Sequence, residues 1–158
     1  MQVGIGFDAH PLVAGRPLIL GGVTIPFAKG LQGHSDGDVL LHAIIDALLG
    51  AAALGDIGTH FPSSDEQYRG ISSLVLLERT TALLRGHRLL VHNTDATIIA
   101  EQPVLRPYIE PMRAAIAAKL NIEAGKVNVK AKTTDGLGFA GRGEGMAAYA
   151  VATLEAIP

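Results

Sequence analysis

An aspartate and two histidines in the first third of the chain have the types and spacing of metal ligands. Asp8 and His10 follow an alternating run, VGIGF, that predicts a strand, so both side chains project from one face of it. His42 lies in the apolar run 39–54, which predicts a buried helix where an unpaired ionisable group would be costly. Two imidazoles and one carboxylate can bind Zn²⁺ and leave its fourth position open for catalysis. The sequence therefore predicts a divalent zinc-type ion at Asp8, His10 and His42, although the same ligand set also suits iron.

Each half of this site also has a simpler explanation. A D-x-H pair by itself is more often an ordinary polar face, and His42 by itself could be a core histidine bonded to a backbone carbonyl. Asp38 and Asp46 favour the metal site because they flank His42 at four-residue spacing on one side of an otherwise apolar helix. We expect both carboxylates to lie behind the ligands and to accept a hydrogen bond from a ligand histidine. The absence of cysteine excludes thiolate ligands.

The segment KTTDGLGFAGRGEG, which follows a predicted strand, has the composition of an anion-binding turn. Lys132, Thr133 and Thr134 precede a series of glycines and Arg142. Hydroxyls and free backbone N–H groups can surround phosphate oxygens, and a guanidinium adds two parallel hydrogen bonds. A flexible surface turn is the simpler alternative. The G-x-G-x-x-G match in this segment does not indicate a dinucleotide site, because too few residues follow it to complete a βαβ unit.

The predicted elements alternate between strands and helices. An N-terminal strand begins at Val3 and ends where Pro11 interrupts it. The other elements are a hairpin over 18–27 around Gly21 and Gly22, helices over 38–53, 72–86 and 107–120, and strands over 89–100 and 127–134. The alanine-rich segment 146–158 fits either a strand or a helix, and we favour the strand. This order, without an internal repeat, predicts a single domain over 1–158 of the α/β (α+β) class. We expect a small mixed β-sheet with helices packed on one face.

Composition argues against several kinds of partner. A formal net charge of -2 and a pI of about 6.3 provide no basic field that would attract nucleic acid. The longest apolar stretch is interrupted by His42, Asp46 and Gly50 and is too short to span a bilayer. With no visible targeting segment, we expect a cytoplasmic protein without a membrane partner.

Five segments of the chain match one enzyme family in order and spacing: GFDAH, HSDGDVLLHAIIDALLGAAALGDIG, FPSSD, DATIIAEQP and NVKAKTTDGLGFAGRGEG. On these motifs the whole sequence resembles the 2-C-methyl-D-erythritol 2,4-cyclodiphosphate synthases. The resemblance implies a homotrimer with active sites at subunit interfaces. It also implies a phosphorus-oxygen lyase of the non-mevalonate isoprenoid pathway. Such an enzyme converts 4-diphosphocytidyl-2-C-methyl-D-erythritol 2-phosphate to the 2,4-cyclodiphosphate by attack of the 2-phosphate on the β-phosphorus, and releases CMP.

The resemblance also implies roles for individual residues. Asp8, His10 and His42 match the zinc ligands, and Asp135 matches a ligand of a second divalent ion, Mg²⁺ or Mn²⁺. His34 and Thr133 match groups that bond the reacting phosphates. The implied contacts to the methylerythritol diphosphate end are Asp8, Ala9, His10, His34, Ser35, Asp56, Ile57, Gly58, Phe61, Pro62, Ser63, Ser64 and Asp65. The implied contacts to the cytidine and its phosphates are Ala100, Pro103, Val104, Leu105, Arg106, Lys132, Thr133, Thr134 and Asp135.

Several positions depart from the family pattern. Asp135 stands where the family usually has glutamate, so we expect the second ion to sit differently or to be bridged through water. Ser63 replaces a frequent aspartate and Val104 a frequent lysine, while Lys132 and Gly136 replace a common threonine and lysine. We expect these loops to keep their roles while individual contacts change.

The resemblance leaves two roles open for Phe139 and Arg142. They are implied either to contact the substrate or to line the trimer axis, where the family binds isoprenoid diphosphates.

Two other functions are possible for the chain. A metal-dependent phosphoesterase is the rival enzyme, but the chain lacks the further histidines of a two-metal site. A non-catalytic, trimeric metal- or isoprenoid-binding module is the other alternative, and the intact ligand set argues against it.

Overall fold

The computed structural model describes residues 1–158 and contains a five-stranded sheet with helices on one face. The strands are β1 (Gln2–Ala14), β2 (Leu18–Leu20), β3 (Val23–Ile25), β4 (Lys29–Leu31), β5 (Leu89–Ile99), β6 (Val127–Lys132) and β7 (Gly145–Ala156). The helices are α1 (Val39–Ala51), α2 (Ile57–His60), α3 (Ser73–Gly86), α4 (Ile109–Leu120) and α5 (Gly138–Gly141). The sheet order is β4-β1-β7-β5-β6, in which only β5 and β6 run parallel, and β2 pairs with β3 in a separate hairpin. The predicted mixed sheet of an α+β fold is confirmed.

Helix α1 lies directly on β1 because two glycines leave no side chain in the contact. A Cβ atom at Gly4 would overlap the backbone of α1 at Ala47, and a Cβ atom at Gly6 would overlap the carbonyl oxygen of Ala43. Side chains alternate along a strand, so the next residues of β1 on this face are the two predicted ligands of the strand. The close approach of backbone to backbone therefore brings α1 against them.

The two faces of the sheet differ in burial. Every second residue of β7 from Ala148 to Leu154 is buried against the helices, and three of these four are alanines, whose small side chains allow close packing. The opposite face exposes the apolar residues Val3, Ile5, Phe7, Tyr149 and Val151. The rings of Phe7 and Tyr149 are in contact there, with 4.8 Å between their centroids. A contiguous exposed apolar surface of this kind is typical of an interface.

Asp38 joins the β2–β3 hairpin to the start of α1. Gly21 and Gly22 both have positive φ, 58° and 76°, and form the predicted two-residue turn. The Asp38 carboxylate accepts hydrogen bonds from the N–H groups of these glycines at 3.0 and 2.8 Å. It also caps α1 by accepting from Leu41 N–H at 3.1 Å. One buried carboxylate thus ties the hairpin turn to the first turn of α1.

The N-terminal strand is longer than predicted, because Pro11 does not end it. This proline lies where β1 changes partner: β7 pairs as far as Pro11, and β4 pairs from Leu12 onward. Its carbonyl oxygen still accepts a hydrogen bond from Gln32 N–H. A missing N–H group at such a change of partner costs at most one ladder bond.

The other boundaries agree with the predictions to within a few residues. The helix predicted from 107 begins with a 3₁₀ turn at Arg106–Tyr108 before α4, and Asn121 ends α4 with a φ of 57°. The C-terminal segment is the predicted strand and lies between β1 and β5. Strand β4 and helices α2 and α5 were not predicted, because three or four residues are too few to show a periodicity. No helix of the chain is both long and apolar enough to cross a membrane.

Candidate metal and substrate site

The three predicted ligands converge between β1 and α1. Asp8 Oδ2 lies 2.8 Å from His10 Nε2 and 2.9 Å from His42 Nδ1. The two ring nitrogens are 3.0 Å apart, so the three atoms form one compact cluster. Two imidazole nitrogens and a carboxylate oxygen facing a common point are a donor set that fits a divalent ion of the zinc type.

Burial and hydrogen bonding act in opposite directions on the pKa values of this cluster. Burial alone would raise the pKa of Asp8, but the hydrogen bonds and charges of His10 and His42 outweigh it and hold the pKa well below its ordinary value. Burial alone would lower the pKa of His42, but its hydrogen bond to Asp8 and the Asp8 charge raise the pKa above its ordinary value. A proton and a metal ion therefore compete for the same lone pair of His42.

Hydroxyl groups surround the other ring nitrogen of His42. Its Nε2 lies 3.0 Å from both Ser35 Oγ and Ser73 Oγ. Ser73, the fully buried first residue of α3, also donates its hydroxyl hydrogen to Asp36 Oδ1 at 2.5 Å. Contacts of Ser73 and Asp36 with this site were not predicted. Ser73 is 31 positions from His42, and no local pattern in the sequence indicates such a contact.

The prediction that Asp38 and Asp46 accept hydrogen bonds from a ligand histidine is wrong. Each carboxylate instead binds unpaired backbone N–H groups next to it: Asp38 those of the hairpin and the first turn of α1, and Asp46 that of Ile57 at 2.7 Å. Burial, with the neighbouring charge of Asp36, raises the pKa of Asp38 to about 6. The two aspartates position the loops around the site rather than its histidines.

A cavity of about 250 Å³ opens beside the three ligands. It is lined by Asp8, His10, His34, Ser35, His42, Ile57, Gly58, Phe61, Ser63, Tyr68 and Leu76. All except Tyr68 and Leu76 were predicted as metal ligands or substrate contacts. Tyr68 packs edge-on against Phe61, with 5.5 Å between ring centroids, and so supports the apolar wall of the cavity.

The remaining residues predicted at this end do not line the cavity; they are Ala9, Asp56, Pro62, Ser64 and Asp65. The side chain of Ala9 points to the other face of the sheet, as its position in β1 predicts. Asp56 caps α2 through Thr59, and Asp65 accepts hydrogen bonds from Gln67; these bonds lower the pKa of both aspartates. Both carboxylates therefore stay anionic at neutral pH.

His34 uses one of its two ring nitrogens in a hydrogen bond within the chain. Its Nε2 lies 3.0 Å from the carbonyl oxygen of Asp65. A carbonyl oxygen can only accept, so Nε2 carries a hydrogen and donates it. Nδ1 of His34 is then the nitrogen left for a bound molecule, and it becomes a donor when the ring is cationic.

Most of the residues predicted around the cytidine line a separate cleft of about 470 Å³, which we name the cytidine cleft after that prediction. It is lined by Ala100, Glu101, Pro103, Val104, Leu105, Arg106, Ile109, Lys130, Ala131, Lys132 and Thr133. The structure thus brings together most of the predicted cytidine group, and adds Lys130 and Glu101 to its charged side chains.

The glycine-rich turn beside this cleft is closed by a carboxylate of the same chain. Glu101 accepts hydrogen bonds from the N–H groups of Thr134 and Gly136, at 3.2 Å each. These two N–H groups are already paired within the chain and are not free for a phosphate. Thr133 and Asp135 are exposed, and only a long 3.4 Å contact joins their side chains. Both side chains remain accessible to a ligand.

Phe139 and Arg142 lie outside both of these clefts. Arg142 pairs with Glu144 at 2.7 Å and lines a third cleft of about 450 Å³ together with Lys29. Phe139 is one of the exposed large apolar side chains of the molecule. Neither residue contacts the metal cavity or the cytidine cleft of its own chain.

The metal cavity and the cytidine cleft of one chain lie at the same level of the sheet but on different strands. In the register of β1 and β7, His10 is level with Met146. The next residue of β7, Ala147, is level with Ile99 of β5, which is in turn level with Lys132 of β6. Three strand spacings separate β1 from β6, or about 14 Å across the sheet. The two clefts are therefore separate pockets within a single chain.

Known proteins resemble this chain over nearly its whole length. The model of the YgbB family matches residues 1–155. A 2-C-methyl-D-erythritol 2,4-cyclodiphosphate synthase of Alkaliphilus oremlandii is 60% identical over 154 residues, which cover 98% of this chain and 98% of that protein. The bifunctional IspDF from Campylobacter jejuni has a TM-score of 0.95 and 41% identity, and the match covers 99% of this chain and 42% of that longer one. IspF of Plasmodium falciparum in complex with CDP has a TM-score of 0.87 and 30% identity, with 99% and 97% of the two chains covered. The chain belongs to the YgbB family.

Proposed function

We propose that this protein converts 4-diphosphocytidyl-2-C-methyl-D-erythritol 2-phosphate to 2-C-methyl-D-erythritol 2,4-cyclodiphosphate and CMP. The observation that carries the proposal is the convergence of Asp8, His10 and His42 at the wall of a cavity, in a chain of this family. The three ligand atoms together can hold one divalent ion, and the cavity gives a phosphate access to that ion. When bound, a zinc-type ion there supplies Lewis acidity that orients and neutralises a diphosphate.

The reaction needs no protein nucleophile. An oxygen of the substrate's 2-phosphate attacks the β-phosphorus, a new P–O bond closes the ring, and the bond from the β-phosphorus to the oxygen of CMP breaks. The chain holds the reacting groups in line and stabilises the charge that develops at phosphorus. His34 lines the cavity wall and, when its ring is cationic, can donate its Nδ1–H to a phosphate, and Ser35 offers a hydroxyl beside it.

The second cleft suits the cytidine end of the substrate. Pro103, Val104 and Leu105 give it apolar walls for a base, and Arg106 and Lys132 are cations for the phosphates. The family usually has a lysine at the position of Val104. Lys132, which lines the same cleft, supplies a positive charge in its place. Thr133 offers an exposed hydroxyl at the edge of this cleft.

Asp135 is the proposed ligand of a second divalent ion, Mg²⁺ or Mn²⁺. Its carboxylate is exposed and has no cationic partner in the chain. Magnesium is commonly held by one or two carboxylates together with substrate phosphates and water, so a single aspartate suffices when the diphosphate supplies the other ligands.

We further propose that three copies of the chain assemble and that each active site lies between two of them. The exposed apolar face around Phe7 and Tyr149 provides a surface for association. A neighbouring copy would place its cytidine cleft opposite the metal cavity of this one, which joins the two pockets that a single chain keeps apart. Arg142 and Phe139 are proposed to face the assembly axis, where a cation and an aromatic ring suit an isoprenoid diphosphate.

The test is whether the purified protein, with Zn²⁺ and Mg²⁺ present, releases CMP from its proposed substrate. Chromatography measures the CMP. His42→Ala is expected to abolish bound zinc and to lower CMP release at least 100-fold, because one of three ligands is lost. His87→Ala, at an exposed histidine that ends α3, is the matched control and should keep both. If His42→Ala retained zinc at the parental level, the assignment of His42 as a zinc ligand would be contradicted. Release of orthophosphate instead of CMP by the parent protein would favour the phosphoesterase.

A further inference from the structure

The contacts behind His42 form a continuous chain from a carboxylate to the metal-facing nitrogen. Asp36 Oδ1 accepts from Ser73 Oγ at 2.5 Å, and Ser73 Oγ lies 3.0 Å from His42 Nε2. On the other side of the same ring, His42 Nδ1 faces Asp8 Oδ2 at 2.9 Å. Ser73 is fully buried and His42 is 8% exposed, so bulk water does not compete for these bonds.

The direction of each hydrogen bond in this chain follows from the number of hydrogens. Asp36 is surrounded by donors: its oxygens accept from Ser73 N–H, Ser73 Oγ and Asp38 N–H. A hydroxyl has one hydrogen, and that of Ser73 is used on Asp36, so Ser73 Oγ can only accept from His42. The hydrogen of the neutral His42 ring must then reside on Nε2, which leaves the lone pair of Nδ1 for the metal.

We propose that Asp36 and Ser73 are positioning residues that set the tautomer and the ring orientation of His42 for metal binding. This inference rests on the proposed metal site and extends it to residues that the ligand set alone does not include. A carboxylate behind a ligand histidine normally bonds the ring directly. Here the first residue of α3 inserts a hydroxyl between them, so the docking of α3 is coupled to the geometry of the ligand.

The hydroxyl hydrogen of Ser35 is therefore available for a different hydrogen bond. Its Oγ also lies 3.0 Å from His42 Nε2 and accepts a long hydrogen bond from Gly37 N–H at 3.4 Å. Because it acts as an acceptor in both contacts, its own hydrogen is not needed by either. Ser35 can donate that hydrogen into the cavity that it lines.

The experiment compares Ser73→Ala and Asp36→Asn with the parent protein and with Ser72→Ala. Ser72 is the exposed N-cap of α3, which accepts from Leu74 N–H, so its loss perturbs the same helix end without touching His42. Zn²⁺ affinity is measured by competition with a chromophoric chelator. The His42 ring is followed in the zinc-loaded protein by ¹H–¹⁵N NMR, and metal-free unfolding is recorded for every variant.

Ser73→Ala and Asp36→Asn are expected to weaken Zn²⁺ binding about 10- to 100-fold and to shift the Nε2–H resonance of His42 upfield. Ser73→Thr, which keeps the hydroxyl, should restore most of the affinity. Ser72→Ala should lower the unfolding temperature while Zn²⁺ affinity stays within about twofold of the parent. If Ser73→Ala is too unstable to purify, Asp36→Asn and Ser73→Thr carry the comparison.

Zn²⁺ affinity within about twofold of the parent in both Ser73→Ala and Asp36→Asn, with an unchanged His42 resonance, would overturn the inference. The same loss of affinity in Ser72→Ala would also overturn it, because the effect would then belong to helix stability. A parent protein that binds zinc but forms no CMP would contradict the proposed function and leave the positioning roles standing.

Discussion

In the single chain, Asp8, His10 and His42 are held together by the same atoms that would bind the ion. Asp8 Oδ2 contacts both ring nitrogens within 2.9 Å, which stabilises the anionic carboxylate and a cationic His42. When His42 is protonated, its positive charge balances that of Asp8. Metal binding must displace that proton.

The pH dependence of zinc affinity follows from this competition. The pKa of His42 is raised above its ordinary value of 6.5, so in the metal-free protein its stabilising charge is fully present below pH 6.5 and is lost as pH rises through the raised value. Zinc affinity should run the opposite way, falling about tenfold per pH unit below the pKa of His42 and levelling off above it. Calorimetric titration from pH 5.5 to 8.5 checks this slope, and an affinity independent of pH would contradict it.

The shorter side chain at position 135 gives a second prediction at this scale. Asp135→Glu extends the carboxylate by one methylene toward the diphosphate, from an exposed position with no strong partner in the chain. We expect the variant to need about two- to tenfold less Mn²⁺ for half-maximal CMP release, with unchanged zinc content. A marked loss of activity would mean that the backbone here, with a φ of 53° at Asp135, is adapted to the shorter residue.

At the scale of elements, the site depends on how closely α1 lies on β1. The ligands of β1 and the ligand of α1 belong to elements whose backbones touch at Gly4 and Gly6. A side chain in this contact would separate the two elements and their ligands together. The glycines of the N-terminal strand are thus part of the metal site although they bind nothing.

Gly6→Ala tests this packing. Its Cβ would overlap the Ala43 carbonyl oxygen, so we expect a loss of about 1–3 kcal/mol of unfolding free energy and a weaker zinc affinity. The matched control is Gly50→Ala in α1, where a Cβ meets only the Ile5 carbonyl oxygen at 3.7 Å. That change should stabilise the protein by about 0.5–1 kcal/mol. Denaturant unfolding of both variants measures the difference, and equal effects would contradict the packing argument.

Sequence patterns predicted the elements that have clear periods, and with them the metal ligands. The alternation in β1 placed Asp8 and His10 on one face, and the apolar run predicted the buried helix around His42. The patterns did not predict what Asp38 contacts, because a carboxylate on a buried helix pairs equally well with a histidine or with a backbone N–H group. That choice depends on the fold, which brings the hairpin amides to Asp38.

Contacts across the fold were beyond local patterns for the same reason. Ser73 reaches His42 only after α3 docks against the loop that carries Asp36, and Glu101 reaches the turn at Thr134 only after β5 and β6 pair. Neither pairing has a signal within a window of a few residues.

At the scale of the whole molecule, the proposed assembly requires that neighbouring chains share each active site. The metal cavity and the cytidine cleft of one chain are separate, at about 14 Å across three strand spacings. Two inactive variants should therefore complement each other when they assemble together. His42→Ala lacks the metal half, and a chain with Thr133→Ala and Asp135→Ala lacks the cytidine half.

Equal amounts of the two variants, unfolded and refolded together, should recover roughly a quarter of the parental rate of CMP release, because random assembly leaves about one site in four with both halves intact. Each variant refolded alone is the control and should remain inactive. No recovery in mixed assemblies, with mixing verified by native mass spectrometry, would place the whole site within one chain.

The most direct measurement is ³¹P NMR of the protein with 4-diphosphocytidyl-2-C-methyl-D-erythritol 2-phosphate, first stripped of metal and then supplied with Zn²⁺ and Mg²⁺. We expect no reaction in the stripped protein, and with metals the paired resonances of a cyclic diphosphate together with one equivalent of CMP. Orthophosphate in place of the cyclic product, or an unchanged substrate with zinc bound at Asp8, His10 and His42, would contradict it.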